Sequence, residues 1–150
     1  MSPAPGIAVE RVDHIGIRVR DLDRALAFYR VLGFELHHKA TFDAVAIIKN
    51  RVGVEINLIV NANAGDPASN ILMDVPEKYA GYTHVALRVA SIPETLTALE
   101  AHSIGITQGP VQFGADGGVS LFVRDPDRNV IELRGADAVG IEGVKQYVPG

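Results

Sequence analysis

Apolar and polar residues alternate along residues 13–19, and the same alternation returns along residues 83–89. The first stretch reads DHIGIRV and the second THVALRV, and their histidines lie 70 positions apart. Because successive side chains of a strand point to opposite faces, each stretch predicts a strand with one apolar face and one face that carries a histidine. The repetition predicts two copies of one structural module.

A helical pattern follows each of these strands. The spacing i, i+3, i+4, i+7 is occupied by Leu22, Ala25, Leu26 and Tyr29 and, 70 positions later, by Ile92, Thr95, Leu96 and Leu99. This spacing is one face of a helix. Asp21 and Ser91, which stand just before the two patterns, are residue types that cap helix N-termini. Each copy therefore begins with a strand and continues with a helix.

Three further strands complete each copy. In the first copy they are predicted at about 34–39, 44–48 and 54–60; in the second copy they are predicted near Ile106 or Val111 and at about 119–123 and 129–134. The chain is thus predicted to be a single α+β domain of residues 1–150, made of two tandem βαβββ modules. Module 1 spans about 10–61, a connection 62–82, module 2 about 83–134 and a C-terminal tail 135–150.

The fourth strand of each module carries polar residues on the face expected to join the histidine face. Glu55 and Asn57 share that face in the first module, and Glu132 lies on it in the second. Counting strands in the two copies makes Asn57 the counterpart of Glu132. The opposite face is apolar in both strands, with Val54, Ile56, Leu58 and Val60 in one and Ile131 and Leu133 in the other.

Two histidines and a carboxylate form a ligand set that suits Zn, Fe(II), Mn, Ni or Co. If the modules pack as pseudo-symmetric copies, His14 and His84 come together, and so do Glu132 and Asn57. The sequence therefore predicts a metal site made of His14, His84 and Glu132, with Asn57 at the place that matches Glu132. The alternative is a pair of core histidines that hydrogen-bond to each other in a cavity without metal.

Composition narrows the choice of partners and compartment. The chain of 150 residues has no cysteine, which excludes disulfides and thiolate metal sites. Its net charge of −4 and its lack of a basic stripe argue against nucleic acid. Neither a signal peptide nor an apolar stretch of about 20 residues is present, so a soluble cytoplasmic protein with no membrane partner is predicted.

Four motifs together resemble the vicinal oxygen chelate superfamily, which includes glyoxalase I, methylmalonyl-CoA epimerase, extradiol dioxygenases, and fosfomycin and bleomycin resistance proteins. They are residues 13–17 (DHIGI), 27–34 (AFYRVLGF), 83–86 (THVA) and 125–133 (DPDRNVIEL), and the resemblance covers about 10–134. It implies paired βαβββ modules that form an incomplete barrel around one divalent ion. It also implies homodimerisation, with the site made within one chain or between two.

The resemblance places His14, His84 and Glu132 at the ligand positions of the family, and Asn57 at the fourth, where glyoxalase I has a second glutamate. An amide cannot accept a proton from substrate, so this departure bears on mechanism. The epimerase has glutamine at the matching place, which keeps a metal compatible with an amide.

Three functions follow from the resemblance. The first is a metal-dependent enzyme of the glyoxalase I (lactoylglutathione lyase) or epimerase type, in which a metal-stabilised enediolate forms by proton transfer on a small carbonyl substrate. Glu132 is then ligand and base, and Glu55 is the second candidate base; the alternative for Glu55 is a rim ion pair with an arginine. The second is an extradiol-type dioxygenase with a site of two histidines and one carboxylate for Fe(II) or Mn. The third is a resistance-type protein that binds a drug or metabolite without chemistry.

Five residues are candidates for binding the small-molecule substrate. Arg18 and Arg88 lie on the histidine face, four residues after each histidine, where they suit a carboxylate or phosphate; the alternative is ion pairs at the barrel ends. Tyr79, Tyr82 and Phe122 are candidates for the pocket wall. For the two tyrosines the alternative is a cover over the edge of the core.

Overall fold

The computed structural model describes residues 4–65, 69–113, 117–136 and 144–146. The first module contains β1 (Ile15–Val19), α1 (Leu22–Val31), β2 (Glu35–Lys39), β3 (Val45–Lys49) and β4 (Glu55–Val60). The second contains β5 (His84–Arg88), α2 (Ile92–Ala101), β6 (Gln108–Gln112), β7 (Val119–Arg124) and β8 (Val130–Gly135), and a short β9 (Lys145–Gln146) follows. The predicted βαβββ order is confirmed in both modules.

Each module forms its own open sheet. The strand orders are β1-β4-β3-β2 and β5-β8-β7-β6-β9, and the first strand of each module runs parallel to the fourth. Gly16 pairs with Asn57 in the first sheet, and Ala86 pairs with Glu132 in the second. Each pair lies two residues beyond the histidine of its module, so Asn57 and Glu132 occupy equivalent register positions. The sheets do not close into a barrel, in agreement with the predicted fold class.

The tail contributes a strand that the sequence pattern did not indicate. Strand β9 runs parallel to β6, with Val111 opposite Lys145 and Gln112 opposite Gln146. Residues 137–143 and 147–150 of the predicted tail lie outside the described residues.

The predicted helix caps and strand faces are both present. The Asp21 carboxylate accepts from the amide of Arg24, and the Ser91 hydroxyl accepts from that of Glu94. The apolar strand faces meet the helices in one hydrophobic core, whose members include Ile17, Val19, Leu26, Tyr29, Ile56, Leu58, Leu99, Ile131 and Leu133. In the described part of the chain both helices are ten residues long, too short to cross a bilayer.

The connection between the modules is tied to the second module by an ionic cluster. Arg124 donates to both oxygens of Asp74, at 3.1 and 2.9 Å, and Arg128 does the same at 2.8 and 3.3 Å. Hydrogen bonds from Arg128, with those from Arg124, hold the pKa of Asp74 well below its usual range. The cluster fixes the β7–β8 turn against the connection.

Candidate metal site

The second module presents a histidine and a glutamate that face each other. His84 Nε2 lies 3.5 Å from Glu132 Oε1. The other ring nitrogen, Nδ1, is 2.9 Å from the hydroxyl of Thr83. The hydroxyl of Ser120 donates to Glu132 Oε2 at 3.2 Å and accepts from Arg134 at 2.9 Å. His84 is therefore held through Nδ1 and Glu132 through Oε2, while His84 Nε2 and Glu132 Oε1 face each other.

An aromatic side chain forms the wall beside this pair. The rings of Phe122 and His84 meet edge to face, with centroids 5.8 Å apart. Phe122 pairs in register with Glu132 on the neighbouring strand. Phe122 therefore packs beside His84, and its role as a pocket wall stays a prediction.

The first module presents an equivalent histidine with a different set of neighbours. His14 Nδ1 lies 2.7 Å from Asp13 Oδ1 and 3.8 Å from Glu55 Oε2. The hydrogen bond with His14 lowers the pKa of Asp13. Glu55 also forms an ion pair with Lys49 at 3.4 Å, so its rim partner is a lysine instead of the arginine considered from the sequence. Nδ1 of His14 is thus engaged, as in His84, and Nε2 is the ring atom left for a ligand.

Asn57 supplies the fourth candidate atom. Its Oδ1 is buried and has no hydrogen-bond partner among the described residues. A buried oxygen without a donor is unfavourable unless a ligand or cation satisfies it. Its register is that of Glu132, whose Oε1 faces a histidine. Two imidazole nitrogens, a carboxylate and an amide oxygen suit a divalent transition metal, so the residues present fit the predicted ion.

The two histidines line one cavity but belong to separate ligand groups within a single chain. The cavity has a volume of about 510 Å³ and is lined by His14 and His84 together with Val12, Tyr82 and Asn129, among others. In the described ranges, the single set of three or more histidine, aspartate or glutamate ligands within 4.8 Å of one another is Asp13, His14 and Glu55. We therefore describe two half-sites by module, His14 and Asn57 in the first and His84 and Glu132 in the second, of which the second pair is in contact at 3.5 Å.

The two arginines predicted to bind substrate line different cavities. Arg18 lines the cavity of the histidines and donates from Nε to Asn61 at 3.0 Å. Arg88 instead lines a second cavity, which also includes Leu99. The equivalent sequence positions of the two arginines thus do not give them the same surroundings.

The two tyrosines also separate. Tyr82 is 99% exposed and lines the cavity of the histidines. Tyr79 is 51% exposed, and its hydroxyl donates to Glu77 at 2.6 Å. Of the two, Tyr82 is the one placed to meet a ligand in that cavity.

Sequence reasoning missed the residues that hold the ligand-type side chains. Asp13 and Thr83 each contact Nδ1 of the histidine that follows, and Ser120 holds Glu132. A signal for the first two was present, because both are polar and stand at equivalent positions of the repeat. Nothing in the sequence marks Ser120, since its contact depends on the pairing of β7 with β8.

Two tandem βαβββ modules, each with a histidine at or just before the start of its first strand and an oxygen-bearing polar side chain on its fourth, define a class of α+β proteins built from two open sheets. Comparison with known families gives the same assignment. Residues 11–133 match the model of the Glyoxalase/Bleomycin resistance protein/Dioxygenase superfamily, and the chain belongs to that family.

Relatives with known names extend the comparison. The chain is 33% identical over 130 residues to a lactoylglutathione lyase of Haemophilus influenzae, covering 80% of this chain and 88% of that protein. It is 29% identical over 134 residues to a glyoxalase domain-containing protein of Mycosarcoma maydis, covering 85% and 69%. The crystal structure of a glyoxalase/dioxygenase from Nostoc punctiforme superposes with a TM-score of 0.68 at 20% identity, covering 89% of this chain and 99% of that one, which shows the shared fold.

Proposed function

We propose that this protein is a metal-dependent lyase or isomerase of the glyoxalase I (lactoylglutathione lyase) or epimerase type. It moves a proton at the carbon beside the carbonyl group of a small substrate. The observation that carries the proposal is that both histidines have Nδ1 engaged by the preceding side chain, so that each can offer Nε2 to a ligand. The similarity to a lactoylglutathione lyase supports the same reaction class.

The metal, one ion of Zn, Fe(II), Mn, Ni or Co, would be held by His14 and Asn57 of one module and by His84 and Glu132 of another. When bound, it supplies Lewis acidity toward a carbonyl oxygen. Asp13 and Thr83 orient the two imidazoles toward it, as second ligands of metal-binding histidines commonly do.

In this proposal, Glu132 of the second module carries out the proton transfer. Asn57 is an amide and accepts no proton, whereas Glu132 is a carboxylate that is 12% exposed and fixed through Oε2 by Ser120. Glu55 is the second candidate base, but it already pairs with Lys49 and lies beside His14. A single base at Glu132 therefore serves a reaction in which the same group removes and returns the proton.

We further propose that a complete site joins two chains of a homodimer. The support is that His14 and the His84–Glu132 pair do not form one ligand cluster within the described part of a single chain. The strand faces that carry the histidines are also open, because Gly16, Arg18, Ala86 and Arg88 are exposed. A second copy could set the first half-site of one chain against the second half-site of the other.

Solvent exchange tests the reaction. Protein loaded with each of the five metals is incubated in D₂O with a 2-oxoaldehyde hemithioacetal or a 2-methyl thioester, and deuterium entering at carbon is measured by NMR. We expect metal-dependent exchange that chelation removes and Glu132→Gln abolishes. Exchange at the rate of the protein-free solution with every metal and both substrates would refute the assignment.

Subunit complementation tests the shared site. His14→Ala and His84→Ala should each be inactive alone. If sites form between chains, a mixture unfolded and refolded together contains heterodimers with one intact site, and activity returns. If sites form within one chain, every chain of the mixture carries a defect and activity stays absent.

An extradiol-type dioxygenase is the second candidate, and Asn57 is the observation that favours it. With an amide in the fourth position, the remaining ligands are two histidines and one carboxylate, which is the set of non-haem Fe(II) oxygenases. Anaerobic loading with Fe(II), followed by catechols and oxygen, should then give a yellow ring-cleavage product. A colourless mixture across a catechol panel would remove this candidate.

A further inference from the structure

Each module contributes a turn that lies against the helix of the other module, and the first of these two junctions is fully occupied. Tyr29 on α1 is completely buried, and its hydroxyl donates to Asp125 Oδ2 at 2.8 Å. Asp125 Oδ1 accepts from the amides of Asp127 and Asn129, at 2.9 and 2.8 Å. Burial, with the neighbouring Asp125 carboxylate, raises the pKa of Tyr29 well above its usual value. A phenol and a carboxylate thus close the first junction.

The turn between β3 and β4 has the same construction, with Asn50 in the place of Asp125. Asn50 Oδ1 accepts from the amides of Val52 and Val54, at 3.2 and 2.8 Å. The backbone amide of Asn50 donates to the carbonyl of Val54 at 3.1 Å, as that of Asp125 does to Asn129 at 3.0 Å. Asn50 is therefore the counterpart of Asp125.

At the second junction, α2 carries no aromatic side chain at the two positions equivalent to Phe28 and Tyr29 of α1. Leu99 stands 70 positions after Tyr29, and Ala98 stands 70 positions after Phe28. A cavity of about 230 Å³ lies at this junction, lined by Asn50, Val52 and Val54 of the turn, by Thr95, Ala98 and Leu99 of α2, and by further residues that include Phe34, Leu87 and Leu133. The cavity lies where an aromatic side chain fills the first junction.

Asn50 offers this cavity a hydrogen-bond donor. Because Asn50 Oδ1 accepts from two backbone amides, its Nδ2 is a donor, and in the described ranges it makes no hydrogen bond. Thr95 is satisfied within α2, since its hydroxyl donates to the carbonyl of Ser91 at 2.7 Å. Arg88 also lines the cavity and is exposed to solvent. Apart from Asn50, Arg88 and Thr95, the lining side chains are apolar, which suits an aromatic ring. Val52 is 81% exposed, so the cavity reaches the surface.

We propose that this second cavity binds a small aromatic molecule with a single oxygen acceptor, whose ring takes the place that Tyr29 occupies at the first junction and whose oxygen accepts from Asn50 Nδ2. An apolar protein cavity of about 150 Å³ holds benzene, so by simple scaling 230 Å³ holds roughly nine non-hydrogen atoms. Aryl methyl ethers and phenols have this size. The site is separate from the histidine cavity and does not depend on the proposed reaction.

The test uses two fluorinated probes observed by ¹⁹F NMR with the full chain at pH 7.5. 4-Fluoroanisole only accepts a hydrogen bond, whereas 4-fluorophenol accepts or donates one. Asn50→Asp keeps the oxygen that holds the turn but removes the donor. We expect both probes to bind the unchanged protein, and Asn50→Asp to weaken the anisole at least fivefold while the phenol, which can donate as Tyr29 does, changes less than twofold.

Ala98→Phe places a ring at a position that lines the cavity and should abolish binding of both probes. Ala101→Phe adds the same volume to an exposed position of α2 that does not line the cavity, and it should leave both affinities unchanged. Chelating any metal should also change neither affinity. Absence of binding at 10 mM probe, equal loss of both probes in Asn50→Asp, or binding that survives Ala98→Phe would overturn the proposal.

Discussion

The two junctions between the modules have the same backbone plan and opposite interiors. At one, Tyr29 and Asp125 fill the space with a buried ring and a hydrogen bond of 2.8 Å. At the other, Leu99 and Asn50 leave a cavity of about 230 Å³. The duplicated backbone keeps the turn and the helix in place, so the side chains at one junction can change while the other continues to hold the modules together.

The half-sites differ in the same way. Glu132 and Asn57 occupy equivalent register positions, yet one carries a charge and can accept a proton and the other cannot. In the proposed reaction the second module supplies the reactive group, whereas the better-packed junction is the one at Tyr29 of the first module. Each prediction below compares two residues that occupy equivalent positions in the two modules.

The largest effect is expected for the pair Glu132 and Asn57. Glu132→Gln should lower kcat about 10³-fold, within the range of a general base. Asn57→Ala should act mainly through metal affinity, which steady-state assays over a metal titration would show as activity restored at higher metal concentration. Equal loss in both variants at saturating metal would remove the distinction between the half-sites.

The next largest effect is expected on the free energy of unfolding, at the equivalent positions Tyr29 and Leu99. Tyr29→Ala should lower the free energy of unfolding by about 4 kcal/mol, because it opens a cavity in a filled junction and removes the hydrogen bond from the tyrosine hydroxyl to the buried Asp125. Leu99→Ala should cost about 2.5 kcal/mol, since it enlarges a space that already exists. Urea unfolding measures both values, and a Leu99→Ala cost equal to or above that of Tyr29→Ala would contradict the packing comparison.

A smaller, pH-dependent change in stability is expected at the turn position that Arg128 occupies in the second module and Gly53 in the first. Both residues have positive φ, 64° and 92°, but Arg128 is not glycine and is held by Asp74. Asp74→Asn should cost about 2 kcal/mol at pH 7, as loss of charged hydrogen bonds does.

The sign of its pH dependence follows from the depressed pKa of Asp74. The carboxylate stabilises the fold above its unfolded pKa of about 3.9, and that stabilisation is lost as the pH falls through this value toward the lower folded pKa. The difference between the two proteins should therefore shrink from pH 6 to pH 3. The two proteins must be compared because burial raises the pKa of Asp125, so that Asp125 changes stability with pH in the opposite direction. That contribution is present in both proteins and cancels in the difference. A difference that does not change with pH would contradict the role of Asp74.

The smallest effect is expected at Gly53 itself. Gly53→Ala places a Cβ in the left-handed region at φ 92°, where no side chain provides compensation, and should cost about 1 kcal/mol. No atom lies within 4 Å of the added Cβ, so the cost comes from the backbone alone. A thermal midpoint equal to that of the unchanged protein would show that the turn relaxes.

The fold was predictable because two signals agreed, the repeat of 70 residues and the alternation within strands. The strand face of Asn57 and of Glu132 followed from the same period of two, and the equivalence of their positions followed from counting strands. The second cavity was not predictable, since it arises from a ring that is absent at Leu99. The pairing of Lys145–Gln146 with β6 was missed because two residues carry no periodicity.

The relation of the two half-sites to each other was also beyond the sequence. The repeat predicts that His14 and His84 are equivalent, but equivalence does not say whether they meet within a chain or across a pair of chains. The lining of one cavity by both histidines, together with their separate ligand groups, is information that only the tertiary arrangement provides.

Metal stoichiometry tests the central claim most directly. The protein is purified without chelator, its metal content is measured by mass spectrometry, and the stripped protein is titrated with the five candidate metals beside His84→Ala. We expect one divalent ion per chain in the unchanged protein and retention reduced at least 100-fold in His84→Ala. Equal retention in the two proteins, or no uptake of any of the five metals by the unchanged protein, would contradict the account.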